Sequence, residues 1–541
     1  MNKPPPLRQV MICGAGLLVV CLSVLVPERG LPHDRLLTVG GAATGTLFMV
    51  YAAVCEVRRH RRPPAFGDGL DRVLFHWDEE NAFTERDLLA GGVGIYGMTG
   101  SGKTSSSGRV LAEALVNRPG SGGLIIAAKP GEDRAMWQRI FRDAGRADDL
   151  LVFSPEHHLR FNFLDFEMSQ GGETRNITKC ITTIGETLRS ADTDKREAAD
   201  FWQRETERLI FCAVEVVKIA TGRVSAPDLH RFINGAAMHP SQFASEEWLA
   251  GFHNQCLKAA WNKPKSPIEQ HDFDLAKEYF LGEFPNMADK TRSSILVGAL
   301  GLLHQFNVGT VRELVSTTTN IRPDDLFRGR WLLIDMPVSR YGDVGAFVIG
   351  GWKYLTQRAV LAREASPDTA PVVLWVDEAQ GAITSFDAHF LAQCRSHQGC
   401  MVMLSQSLPG YYAALGGENG KQYIDALQAS LTTKVFHALG DLETANWASG
   451  LVGRSLTTFT GGSSSPSEGP YQSLMGRSNY SSNFSEAYES TLQTNDFMHG
   501  LRTGGPRNGF ICDCYVIRSG QPFASGNNWL AASFSQKGNT S

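Results

Sequence analysis

The stretch Gly97-Met98-Thr99-Gly100-Ser101-Gly102-Lys103-Thr104 decides how the rest of the chain is read. It satisfies the P-loop pattern G-x-x-x-x-G-K-[ST] at every specified position. Its three glycines remove the Cβ atoms that would keep backbone N–H groups away from phosphate oxygens. Lys103 is placed to reach β/γ-phosphates and Thr104 to hold Mg²⁺. Upstream, Gly94-Ile95-Tyr96 ends a short apolar run; downstream, Val110 to Val116 continues as a helix. An anion in this loop would meet the free N–H groups and the positive end of a helix dipole. A Gly/Ser-rich surface turn would need neither the strand before it nor the helix after it.

Outward from the loop, 541 residues exceed one ordinary core, so two or three domains are expected. A formal net charge of −4 argues against a chain that is basic throughout, while leaving room for a local basic channel. Ten cysteines show no paired C-x-x-C pattern, and Cys512-Asp513-Cys514 reads as strand alternation, so reduced thiols and no structural zinc are expected. Val10 to Val26 and Leu36 to Val57 are apolar runs that approach the span of a bilayer core. No small-x-small cleavage site follows the first, which favours a retained span over a signal peptide. Arg58, Arg59, Arg61 and Arg62 outweigh the charge of the short Pro27–Arg35 loop, so both termini are expected in the cytoplasm. Pro63-Pro64 and Gly67-Asp68-Gly69 mark the linker into the body.

From Val73 the pattern is α/β. Leu124–Ala128 and Leu150–Phe153 read as buried parallel strands around a helix from Glu132 to Ala144, which points to a doubly wound sheet. From about 170 to 318 helical periodicity dominates, with Leu209, Ile210, Ala213, Val214 and Val217 on one face and Ile295, Leu296, Ala299, Leu303 and Phe306 on another. Phe201, Trp202 and Trp261 are expected in that helical core. Strands return at Trp331–Asp335, Val372–Glu378, Met401–Leu404, Lys434–Ala438 and Phe510–Ile517, with a crossover helix from about Gly345 to Arg363. Gly461 to Ser485 is rich in serine, glycine and asparagine and reads as a mobile loop.

A P-loop enzyme needs an apolar strand ending in acid on the strand neighbouring its loop. Asp377 would hold Mg²⁺ through water, and Glu378 would polarise the attacking water. Asp335 ends a similar strand and competes for the metal, although no glutamate follows it. An N-cap for the next helix is the bland reading of Asp377-Glu378. Gln406 closes the following strand, where an amide can sense a γ-phosphate or simply satisfy a strand end. Arg395 lies between these two strands; it is either a solvated helix-end arginine or one that completes a neighbouring subunit's site. No H-E-x-x-H spacing occurs among the fourteen histidines.

Taken together, these segments resemble the type IV secretion coupling proteins of the TraG/TraD type. The resemblance rests on two N-terminal spans, the P-loop, Phe161-Asn162-Phe163-Leu164-Asp165, Asp200-Phe201-Trp202-Gln203-Arg204-Glu205, and Asp289-Lys290-Thr291-Arg292-Ser293-Ser294-Ile295. The succession Trp375–Glu378, Cys394-Arg395-Ser396 and Ser405-Gln406-Ser407 is similar to the family's Walker B, arginine-finger and glutamine-sensor order. Thr444-Ala445-Asn446 and Leu501–Gly505 also look like family features, whereas Gly399-Cys400 departs from the usual pairing. The resemblance implies a RecA-like P-loop NTPase domain with an all-helical insertion domain and two N-terminal transmembrane helices. Expected boundaries are 1–66 for the anchor, 67–168 and 319–541 for the nucleotide-binding domain, and 169–318 for the insertion. It further implies an ATPase at the bacterial inner membrane, using ATP and Mg²⁺. A homo-hexamer would drive a relaxase-bound single DNA strand, or a secreted protein, toward a type IV secretion channel. The rivals are an FtsK/HerA-like duplex DNA translocase, disfavoured by the absence of a winged helix after Phe510–Ile517, and a nucleotide-switched receptor for secreted proteins.

Overall fold

The central strands of the main sheet are short, mostly apolar runs, and the computed structural model describes residues 69–186, 196–415, 420–466 and 478–537. Two small antiparallel strands open the described body, β1 (Val73–His76) and β2 (Ala82–Thr84). The main sheet then takes in β3 (Val93–Tyr96), β4 (Gly122–Ile126), β5 (Leu150–Phe153), β6 (Trp331–Ile334), β7 (Val372–Val376), β8 (Gly399–Ser405) and β9 (Thr433–Phe436), all parallel. A hairpin of β10 (Arg454–Pro466) and β11 (Ser478–Ser490) stands outside it, and β12 (Ile511–Arg518) and β13 (Trp529–Ser535) extend one edge antiparallel. Across the nine strands the order is β13-β12-β9-β3-β8-β7-β4-β6-β5. Every residue of β3, β4, β6, β7, β8 and β9 is buried, as expected when helices cover both faces of a parallel sheet.

Between β5 and β6 the described chain contains helices and no strand. Arg196–Thr221 and Asp289–Asn307 pack on each other by the faces read from the periodicity: Leu209, Ile210, Ala213, Val214, Val217, Ile295, Ala299, Leu303 and Phe306 are all buried. Leu296 and Trp202 lie half-buried against that core. Trp261 departs from expectation, being 60% exposed with the Lys277 ammonium 4.7 Å above its ring. A flexible cation with an aliphatic stem supplies the cover that a core position would have given. Phe201's side chain and the apolar runs Val10–Val26 and Leu36–Val57 lie outside the described residues.

Four further readings are corrected. β7 does not neighbour β3; β8 runs between them, so Asp377 and Gln406 approach the loop from different distances. Gly461 to Ser485 is not a loop over its described part: Arg454–Pro466 and Ser478–Ser490 pair residue by residue through 13 rungs. Composition missed this because Leu456, Phe459, Phe484 and Tyr488, which favour strands, flank the small residues and face solvent. β12 is not the last strand, since Trp529–Ser535 pairs along it; the alternation of buried Ala532 and Phe534 carried that signal. Finally, the crossover helix runs Val338–Ala362 and bends at Gly342, whose φ of 54° is one that a Cβ disfavours.

That crossover helix also fixes the segment behind Glu378. Lys353, fully buried, donates to the Ala382 carbonyl and pairs with the equally buried Asp387 at 2.6 Å. Asp387 accepts from Thr384 N–H and the Gln357 amide as well. A buried charge pair with its remaining lone pairs satisfied resists the loss of either partner, so the turn after Glu378 is tied to the helix.

Candidate nucleotide site

The loop leaves β3 between the ends of two neighbouring strands. Gly97 N–H donates to the Ser405 carbonyl at 3.2 Å and Met98 N–H to the Ala438 carbonyl at 2.9 Å. Gly100 and Gly102 then take φ of 78° and 86°. At Gly102 a Cβ would lie 2.2 Å from the Cys512 sulfur, so glycine is required there by both backbone and space. Beyond Lys103 and Thr104 the helix starts with one wide turn, Gly108 N–H reaching the Lys103 carbonyl at 2.9 Å, before Arg109–Asn117 continues as α-helix. Gly97, Met98, Thr99, Gly100, Ser101, Gly102, Lys103 and Thr104 thus form one turn at the C-terminal edge of the sheet.

Glu378 is the centre of the polar contacts above it. Its carboxylate lies 3.5 Å from the Lys103 ammonium and accepts from the Gln406 amide at 3.2 Å to both oxygens, and from the Gln380 amide at 2.8 Å. Thr99 of the loop donates to the Gln406 carbonyl oxygen at 3.1 Å, closing a path from loop to sensor to glutamate. Glu378 itself has φ 43° and ψ 53°, a left-handed conformation that costs a glutamate on the order of 1 kcal/mol. β8 makes this arrangement possible. With one strand between β3 and β7, the acids stand roughly 10 Å across the sheet from the loop strand, at ~4.8 Å per strand.

Asp377 is buried, with its carboxyl pushed up to about 6 chiefly by desolvation and then by the nearby Asp133 charge. Asp133 accepts from the N–H groups of Ala128 and Lys129, both at 2.8 Å, and burial raises its carboxyl too. The rival metal residue Asp335 ends β6, four strands from β3, and pairs with Arg134 at 3.3 Å. Thr104, which lines the cavity beside the loop, and Asp377, which does not line it, both carry oxygen atoms of the kind that suits Mg²⁺. Arg395 is not brought to this cluster. It is exposed and precedes β8, so the length of that strand separates it from its own chain's loop.

Sequence reasoning missed several residues here. Lys129, Asp133, Arg109 and Gln536 line the same cavity of about 390 Å³ as the loop and Glu378. The readable signal for Lys129 was its place just past β4, since ligands of open α/β sheets gather at strand C-termini. His437, just past β9, is fully buried, with one ring nitrogen 2.7 Å from the Ser107 hydroxyl and the other 3.1 Å from the Asp513 carbonyl. The carbonyl can only accept, so Nδ1 carries the proton and Nε2 accepts from Ser107. Burial lowers His437 from 6.5 to about 4. Between those values the unfolded chain binds the proton and the folded chain does not, so this residue's contribution to stability falls as pH drops. Against a His437→Gln variant, the wild type should lose up to about 3 kcal/mol of relative stability between these two pH values, read from denaturation midpoints.

Residues 371–499 match the family model described as "TraM recognition site of TraD and TraG". Among solved structures, the chain is similar to the unbound conjugative coupling protein TrwBdeltaN70, at TM-score 0.55 and 15% identity over 89% of this chain and 92% of that one. TrwB with a non-hydrolysable ATP analogue gives TM-score 0.54 and 16% identity over 89% and 93%. TrwB with ADP and Mg²⁺ gives 0.52 and 14% over 88% and 90%. A comparison with curated protein sequences found no match. The matched segment, residues 371–499, runs from β7 through the strand ends that carry Glu378 and Gln406, and the likeness to the TrwB structures is one of fold.

Proposed function

We propose that this chain is a membrane-anchored ATPase that couples a relaxase-bound DNA or protein substrate to a type IV secretion channel. The observation that supports it best is the unbroken path from Thr99 through Gln406 to Glu378 and Lys103 at the strand C-termini. In this reading the loop N–H groups cradle the α/β-phosphates, and Lys103 moves from Glu378 to the β/γ-phosphates. Glu378 then accepts a proton from the attacking water, while Gln406 reports the γ-phosphate to Thr99 and the loop. Mg²⁺ held by Thr104 and, through water, by Asp377 would neutralise charge on the β/γ oxygens. TrwB has been solved with ATP and GTP analogues and with ADP and Mg²⁺, which supports nucleotide and metal as ligands here.

The remaining parts of the reading come from the family. Six subunits would form a ring at the inner membrane, anchored by the two N-terminal runs with both termini cytoplasmic. The domain model's description adds a TraM-like relaxosome protein as a docking partner. DNA would be held through phosphates, so binding should weaken steeply with salt. The test is steady-state ATPase activity of the full-length protein in detergent, with single-stranded DNA, duplex DNA or neither. Single strands should stimulate turnover. A preference for duplex would instead support a segregation-type translocase, and indifference to both would support protein cargo.

A further inference from the structure

The sheet order gives the cavity a direction. Glu378 and Gln406 stand on the β8–β7 side of the loop strand, so in the nucleotide reading of the loop the γ-phosphate end would lie there. On the opposite side run β9, β12 and β13, and the chain beyond β13 returns to the loop at Gln536. Gln536 lines the cavity together with Ser105 and Arg109, the residues one position and one further turn past Thr104. In a P-loop the residues just past the Lys-Thr pair face the α-phosphate, so whatever the α-phosphate carries must project past Ser105.

Gln536 is unusually well fixed for a residue after the last strand. Its backbone N–H donates to Phe510 at 2.8 Å, and its carbonyl accepts from the Arg109 guanidinium at 3.0 Å, which also bonds the Ser535 carbonyl at 2.9 Å. Its side-chain oxygen accepts from Gly505 N–H at 2.8 Å and its amide nitrogen donates to the Ser105 hydroxyl at 2.8 Å. Because Gly505 N–H can only donate, the amide orientation is set. One amide hydrogen and one oxygen lone pair are then left for a ligand. The Leu501–Gly505 segment, which resembled a family feature without a role, acts here as the brace.

We propose that Gln536, braced by Gly505 and Arg109, is the contact for the nucleoside end of the bound nucleoside triphosphate. This rests on the nucleotide reading of the loop, and it assigns to residues after β13 a share of substrate binding that the motif does not contain. Arg109 is a positioning residue in this scheme, acting through the carbonyls of Ser535 and Gln536.

Equilibrium binding of ATP and of inorganic tripolyphosphate to the full-length protein separates the ends of the site. Gln536→Ala should weaken ATP about three- to tenfold, the worth of one or two neutral hydrogen bonds, and leave tripolyphosphate unchanged. Gln536→Met, which keeps the volume, should do the same. Equal losses for both ligands would assign Gln536 to holding the loop rather than the nucleoside and overturn the proposal. ATP binding like that of the wild type in both variants would overturn it as well, while leaving the nucleotide site intact. Failure of the wild type to bind either ligand would remove the nucleotide reading itself.

Discussion

Glu378→Gln should leave ATP bound and reduce turnover by at least about 100-fold, the usual worth of a positioned general base. An amide in place of the carboxylate keeps the shape of the side chain and loses the proton acceptor. The partners of Glu378 sharpen the expectation: the Gln406 and Gln380 amides and the Lys103 ammonium all donate toward it, and all three would face an amide that accepts at one oxygen only. Nucleotide affinity should therefore hold or rise slightly, because Lys103 is released from a carboxylate that competes with phosphate for it. Single-turnover hydrolysis and equilibrium ATP binding, measured on the same preparation, check this. Hydrolysis at the wild-type rate would exclude Glu378 as the base; a parallel loss of binding would mean that the left-handed turn at residue 378 had collapsed.

Arg395→Ala should cut ATP turnover by about 10³-fold or more in the assembled ring while leaving ATP affinity within about twofold, as for an arginine supplied in trans. The geometry motivates the trans assignment. An exposed arginine before β8 lies at the end of the strand away from its own chain's loop, so in the proposed ring it would serve a neighbouring subunit's nucleotide rather than its own. Mixing Arg395→Ala subunits with Glu378→Gln subunits gives the decisive readout. Arrangements that place an intact Arg395 beside an intact Glu378 should restore part of the activity that neither variant has alone. No restoration, with mixed assemblies demonstrated, would return Arg395 to the role of a solvated helix-end residue.

The correction at β7 shows where reading from sequence stops. Val372–Val376 and Asp377-Glu378 were legible as a buried strand ending in two acids, because burial on both faces demands a continuous apolar run. Its neighbour was not legible, since parallel strands are joined by long crossovers and chain order does not give sheet order. The placement of β8 between β3 and β7 decides that Gln406, rather than Asp377, touches the loop through Thr99. Likewise Asp335 and Asp377 look alike as strand-end acids. Only the position of β6 beyond β4 sets Asp335 against Arg134 and away from the loop.

Local chemistry was therefore fixed by the sequence itself: the glycine positions that let the loop turn, the strand and helix periods, and the Asp-Glu and Gln residues at strand ends. Those features depend on φ/ψ preferences and on burial at fixed spacing, which act within a few residues. Tertiary structure decided which strand ends meet. It set His437 under the loop, 330 residues from Ser107, and carried Gln536 back to Ser105 across 431 residues. Contacts of that separation leave no local pattern, because they are made by the closure of the sheet rather than by the segments that it joins.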